Sequence, residues 1–199
     1  MKNTIVTLTG PTCSGKTYLH DALIKDYGFV KLKSCTTRAM REGEVDGVDY
    51  DFISMDEAKS RRANDEFIEC TLFSLQYYGV TRTELAEKIA TGKPIVVVLE
   101  PLGLATYEKV AKELGYRLLK VYVESPLDVR IKRLNNRTFK NVFLNTSSDV
   151  VSVHITDHTR RLENMLLIES KWPNAHEWDL KVTGEDALSA MFDIKNTLK

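Results

Sequence analysis

Cysteine is scarce in this sequence, with three residues, Cys13, Cys35 and Cys70, among 199. Such an odd and sparse set, with no pair at metal-ligand spacing, excludes a disulfide framework and fits free thiols in a reducing compartment. Net charge is lacking as well, because Lys+Arg and Asp+Glu both number 28. Neutrality argues against a bulk electrostatic partner, so neither nucleic acid nor an anionic membrane is expected, while a local cationic patch stays compatible with the total. Long apolar runs are missing. The longest, Ile95 to Leu99, is far too short to cross a bilayer. The opening Met1-Lys2-Asn3-Thr4 has neither the apolar core nor the small-residue cleavage site of a secretion signal. A cytoplasmic location is therefore expected. Repeats and low-complexity tracts are also absent. The composition is otherwise ordinary, at 43% hydrophobic and 28% charged, and a chain of this length can bury its own core without staples. One domain is expected.

Short β-branched runs alternate with helix-length amphipathic stretches. Ile5 to Thr9, Phe29 to Ser34, Pro94 to Leu99, Leu118 to Val123 and Leu180 to Thr183 read as strands. Lys16 to Asp26, Thr83 to Ala90, Leu102 to Leu114, Pro126 to Asn135, His158 to Ser170 and Ala187 to Leu198 read as helices. The alternation predicts an α/β fold, with a mostly parallel sheet and helices on both of its faces. Ser34 to Thr81 is richer in strands and predicts a small β-rich lobe inserted into that sheet. Thr138 to Asp157 is polar and poorly patterned.

The sharpest motif is Gly10-Pro11-Thr12-Cys13-Ser14-Gly15-Lys16-Thr17, which matches G-x-x-x-x-G-K-[ST] between a predicted strand and a predicted helix. In that context, backbone N–H groups of the loop converge on phosphate oxygens, and the helix dipole favours the negative charge. Lys16 would reach the transferred phosphoryl group, and the Thr17 hydroxyl would ligate Mg²⁺. The competing reading is a chance glycine-rich turn, and the strand-loop-helix context argues against it. A nucleoside triphosphate is the expected ligand.

A second signal is the charged, glycine-containing stretch from Ser34 to Phe52, in which Arg38 and Arg41 lie three apart and Tyr50 follows. Two guanidinium groups in an irregular loop suit bidentate capture of a phosphate dianion, and a tyrosine adds a neutral donor. Taken alone, the same stretch also reads as a solvated charged loop.

Together these elements resemble the guanylate kinase family of P-loop nucleoside monophosphate kinases. The likeness covers the P-loop, the pattern S-x-T-T-R-x-x-R-x-G-E-x-D-G-x-D-Y, then Glu66-Phe67-Ile68-Glu69 and Tyr77-Tyr78-Gly79. It continues more weakly through Asp128 to Arg137 and on to the C-terminal helix. The resemblance implies a P-loop NTPase core of residues 1–33, 82–137 and 158–199, a monophosphate-binding lobe of 34–81 and a mobile lid of 138–157. It also implies direct in-line transfer of the ATP γ-phosphoryl group to GMP or dGMP, with Mg²⁺ and no covalent enzyme intermediate. Arg38, Arg41, Tyr50 and Tyr78 would grip the acceptor phosphate, while Ser34 and Glu69 would face the base. Arg133 and Arg137 fall on arginine positions where the lid begins, and Arg161 on the helix that returns from it. Lys16, Arg137 and Arg161 would neutralise charge on the phosphoryl group in flight.

The chemistry of Glu69 supports its assignment separately. A carboxylate accepts two hydrogen bonds, and guanine offers adjacent donors at N1–H and the 2-amino group. Adenine presents an acceptor at N1 and no 2-amino group, so a buried carboxylate is left partly unpaired against it.

The chain departs from the family pattern in four places. Val80 stands where Ser or Thr is usual, with Thr81 adjacent. Val98 replaces the first carboxylate of an Asp-x-Asp pair, and Glu100 keeps the second. The lid is atypical, and Val182-Thr183-Gly184 replaces a Val-x-Asn element. These changes cluster where substrates are discriminated, so a broad (deoxy)nucleoside monophosphate kinase on the same frame is the alternative expectation. A non-catalytic protein-binding module is a further alternative, opposed by the intact Gly15-Lys16-Thr17. A homodimer is left open. His154 and His158 read as solvated lid histidines rather than a metal site, for want of a third ligand. Cys13 reads as a small filler in the loop, and Trp172 and Trp178 as packing for the returning segment.

Overall fold

The computed structural model describes residues 3–41, 43–144 and 148–198. In chain order the elements are β1 (Thr4–Thr9), α1 (Lys16–Tyr27), β2 (Val30–Lys31), β3 (Cys35–Thr36), β4 (Asp51–Phe52), α2 (Met55–Ala63), β5 (Phe67–Phe73) and β6 (Gln76–Thr81). They continue as α3 (Arg82–Ala90), β7 (Ile95–Val98), α4 (Leu104–Leu114), β8 (Arg117–Glu124), α5 (Leu127–Leu144), α6 (Ser148–Leu167), β9 (Leu180–Thr183) and α7 (Ala187–Thr197).

The main sheet has five strands in the order β2-β7-β1-β8-β9, and all its pairings are parallel. Every residue of β1 is buried, as a central parallel strand under helices on both faces demands. Its side chains alternate between two cores. Val6 and Leu8 join Leu19 and Leu23 of α1 and Met191 and Ile194 of α7 on one face. Ile5 joins Leu104 and Tyr107 of α4 on the other. The chain leaves β1 toward β2 on one side and returns from β7 to β8 on the other. The carboxyl end of β1 is thus the switch point where ligands of such sheets bind.

The β-rich lobe exists as its own four-stranded sheet in the order β4-β3-β6-β5. Its β5–β6 hairpin turns at Ser74 and Leu75, both at positive φ (52° and 62°), which matches the twist that two-residue hairpin loops require. The expected strand from Phe29 to Ser34 is shorter than its apolar pattern suggests. Only Val30–Lys31 pairs with β7, and by Cys35 the chain has crossed to the lobe sheet. The run reads as continuous because it feeds two sheets in succession.

The polar stretch beyond Asn135 is helical. α5 runs on to Leu144, and α6 begins at Ser148. Residues 145–147 of the expected lid, Glu42 of the arginine-bearing loop and the opening Met1-Lys2 lie outside the described residues. Along this extension Phe139 and Phe143 are 60% and 84% exposed, so its large apolar residues do not mark a buried face. Thr138 Oγ1 meets His158 Nδ1 at 2.9 Å, joining the two helices. Trp172 packs on Phe73 and Trp178 on Tyr122 (centroids 5.7 and 4.9 Å), so both tryptophans pin the returning segment. No described helix is long and apolar enough to cross a membrane.

Candidate active site

The P-loop spans the end of β1 and the start of α1. Gly15 holds φ at +105°, and a Cβ there would meet the Gly184 carbonyl oxygen at 2.6 Å, so this position needs glycine twice over. Cys13 also takes a left-handed conformation, φ +62°. Lys16 Nζ donates to the Gly10 and Pro11 carbonyls at 2.6 and 2.8 Å, spanning the loop it closes. Burial pulls the Lys16 ammonium below its ordinary value, opposed by Glu100 and Glu169.

Glu169, in the turn after α6, holds the phosphate loop and has no signal in the sequence. Its Oε1 accepts the Thr12 N–H at 3.0 Å and the Thr12 hydroxyl at 2.5 Å. Its Oε2 accepts Arg130 Nη1 at 3.1 Å. Thr12, expected among the phosphate-cradling residues, lines the cavity, yet its own donors are taken by Glu169. Arg130 and Glu169 belong to no local motif, so nothing in the linear spacing marks them. Arg133 Nη1 donates to the Cys13 carbonyl at 3.0 Å, on the outer side of the loop.

Across the cavity, Glu44 orders the double-arginine loop. Arg38 meets it bidentately at 2.7 and 2.6 Å, and the Arg41 N–H donates to it at 2.7 Å. The Arg38 guanidinium also lies 4.9 Å from the centre of the Tyr50 ring, whose edge meets Tyr78 at 6.5 Å. Arg41 has no such full partner. Burial first, then the positive charges of Arg38, Arg137 and Arg161, bring its pKa down to about 10. Such crowding of guanidinium groups is what a bound polyanion relieves.

Arg137 comes from α5 and Arg161 from α6. Asp157 holds Arg161 Nε at 2.7 Å and Arg160 Nη2 at 2.6 Å, which aims the guanidinium inward. Arg137, Arg161, Lys16, Arg38 and Arg41 all line one cavity, together with Thr17 and Ser34. The lobe hairpin also touches the returning helix, through Asn164 Nδ2 donating to Ser74 Oγ.

The same cavity is also lined by Glu69, Thr71, Phe73, Val98, Leu99 and Glu100, and Glu100 acts on Lys16 there. Burial raises the pKa of both Glu69 and Glu100 to about 7. The Glu100 Oε2 atom is buried with no hydrogen-bond partner among the described residues. Val80, by contrast, is fully buried in the core beside Leu32 and Leu85 and does not line this cavity. Its neighbour Thr81 caps α3, accepting the Glu84 N–H at 3.2 Å.

A second cavity adjoins the P-loop, lined by residues 13–18 with Arg133, Arg137, Gly184 and Glu185. Cys13, Lys16, Thr17 and Arg137 belong to both cavities. The two cavities therefore meet around Lys16 of the phosphate loop. Gly10 and Pro11 line neither chamber and act through their carbonyls. Among the described residues no group of three or more His, Cys, Asp or Glu could hold a metal, and His158 meets the Thr138 hydroxyl.

A parallel sheet with a phosphate loop at its switch point, an inserted lobe and a guanidinium-lined chamber define a P-loop kinase, an ATP-dependent phosphotransferase. Comparison narrows the class. The guanylate kinase family model matches residues 1–153. The guanylate kinase of Bifidobacterium longum is 34% identical over 131 residues, covering 65% of this chain and 67% of the relative. That of Maricaulis maris is 29% identical over 198 residues, covering 99% and 83%. The crystal structure of guanylate kinase from Anaplasma phagocytophilum shares the fold at a TM-score of 0.68 and 22% identity, covering 99% of this chain and 85% of that one. The chain belongs to the guanylate kinase family.

Proposed function

We propose that this chain transfers the γ-phosphoryl group of ATP to GMP, giving ADP and GDP, and that it accepts dGMP as well. The observation that carries the reading is one cavity lined by Lys16, Arg38, Arg41, Arg137 and Arg161 together with Glu69. A chamber that combines five cationic side chains with the Glu69 carboxylate suits a nucleoside monophosphate with a double hydrogen-bond donor on its base.

In this reading Arg38, Arg41, Tyr50 and Tyr78 hold the acceptor phosphate, while Ser34, Glu69 and Glu100 face the nucleoside. An acceptor phosphate oxygen attacks the γ-phosphorus, and the bond from that phosphorus to the β-phosphate oxygen breaks. The electron pair leaves on ADP. Lys16, Arg137 and Arg161 stabilise the charge spread over the transferring group, which is the main contribution such sites make. Arg133 and the loop residues 10–17 hold the donor nucleotide from the second cavity.

Mg²⁺ fits the donor set, because Thr17, whose hydroxyl would be the ligand, lines both chambers and this cation takes most of its ligands from phosphates and water. Bound there, it would neutralise charge on the triphosphate. The free thiols fit a cytoplasmic setting.

The test is an ADP-release assay with ATP, Mg²⁺ and a panel of ribo- and deoxyribonucleoside monophosphates. Turnover with GMP and dGMP well above the rest is the expected result. Absence of ADP formation with GMP overturns the reading, and equal turnover across the bases favours the broad-specificity alternative.

A further inference from the structure

The family-like hydroxyl at position 80 is missing, and Thr81 does not stand in for it, because its side chain caps α3. A different hydroxyl reaches the chamber. On the β5–β6 hairpin Glu69 pairs with Val80 and Thr71 with Tyr78, and the two-residue spacing puts Glu69 and Thr71 on one face of β5. Both line the chamber that Val80 does not. Thr71 Oγ1 donates to Glu69 Oε2 at 3.5 Å.

The surroundings of Glu69 make that contact consequential. The groups facing it are Cys70 on its own strand, the Tyr107 phenol of α4 and the Glu100 carboxylate beyond β7. None of these is a cation. The Tyr107 hydroxyl is itself buried without a partner among the described residues. Burial brings Glu69 to about 7, and the one influence acting the other way is the Thr71 hydroxyl.

We propose that Thr71 is a positioning residue for base selection, whose hydroxyl donates to Glu69 and holds that side chain as an ionised double acceptor. The inference rests on the GMP reading above. An ionised carboxylate offers two acceptors, matching N1–H and the 2-amino group of guanine. A protonated carboxyl offers one donor and one acceptor, matching N1 and the 6-amino group of adenine. The protonation state of Glu69 therefore decides which purine edge is complemented, and Thr71 biases it toward guanine.

The experiment measures kcat/KM for GMP and AMP from pH 6 to 9 in the wild-type chain, Thr71→Val and Thr71→Ser. Ionisation of the substrate phosphate is common to all three proteins and cancels between them. The expected result for Thr71→Val is about a tenfold loss of kcat/KM for GMP at neutral pH, the size of one hydrogen bond to a charged group. Its rising limb shifts to higher pH, its GMP-to-AMP ratio falls, its KM for ATP is unchanged, and Thr71→Ser restores the wild-type profile. A Thr71→Val profile and GMP-to-AMP ratio superimposable on wild type overturn the inference and leave the GMP reading intact. So does a serine variant that fails to restore them, since packing alone would then be at work. If Thr71→Val does not fold, Thr71→Ala is read by the same criteria. A wild-type chain that does not turn over GMP overturns both.

Discussion

Arg130 and Glu169 form a nearly dry ion pair, 3.1 Å apart, with 8% and 0% of their side chains exposed. The pair joins α5 to the turn that follows α6, and Glu169 passes the constraint on to Thr12 in the phosphate loop. The two helices that carry the lid arginines are thereby tied at their base to the loop that holds Lys16.

Removing one partner of such a pair leaves an uncompensated buried charge. Glu169→Ala should lower stability by about 3–5 kcal/mol, measured as a fall in the urea midpoint with an unchanged slope. Glu169→Gln keeps an acceptor for Thr12 and should cost less. Equal loss in the two variants would mean that the Thr12 contacts contribute nothing.

Gly184 lies against the phosphate loop so closely that an added Cβ would sit 1.6 Å from the Ser14 carbonyl oxygen. Gly184→Ala must displace one backbone or the other. We expect it to weaken ATP binding at least about tenfold, since misplacement of an ångström is costly at such sites. GMP affinity in the absence of ATP should hold, and calorimetric titration of each nucleotide separates the two effects.

Glu44 touches no expected substrate atom, yet it fixes Arg38 by two hydrogen bonds and the Arg41 backbone by a third. Glu44→Gln should raise KM for GMP by about tenfold or more, the cost of weakening charge-assisted bonds. KM for ATP should stay near the wild-type value. A variant that loses kcat with KM intact would place Glu44 elsewhere in the reaction.

Glu100 provides a pH test with a definite sign. Its pKa is raised to about 7 in the folded chain, from an ordinary value of 4.5. Between those values the folded state binds more protons than the unfolded state, so stability falls as pH rises through the window. Glu100→Gln removes that loss. Its melting temperature should match wild type near pH 4.5 and exceed it at pH 8. A variant no more stable than wild type at pH 8 would show that Glu100 is stabilised as a carboxylate.

Much of this site was legible in the linear sequence because its parts are local. A phosphate loop is a single contiguous backbone turn, and Gly15-Lys16-Thr17 after a β-branched run specifies it without reference to anything distant. The strand and helix alternation likewise needs only short-range periodicity, and the strand-rich segment from Ser34 to Thr81 does form its own sheet.

Other features depend on which face of an element meets which neighbour. Val80 and Thr81 read as a missing hydroxyl and its substitute, but Val80 is packed into the core beside Leu32 and Leu85, and helix capping occupies Thr81. The hydroxyl beside Glu69 belongs to Thr71 instead. The helices beyond Asn135 pack on each other, a pairing that the polar stretch from Thr138 to Asp157 does not announce. Glu169 and Thr12 are 157 positions apart, and no spacing rule spans that distance. Backbone geometry is encoded between near neighbours in the chain, whereas the pairing of buried charges is decided by packing, because only the assembled layers bring such groups together and exclude water from between them.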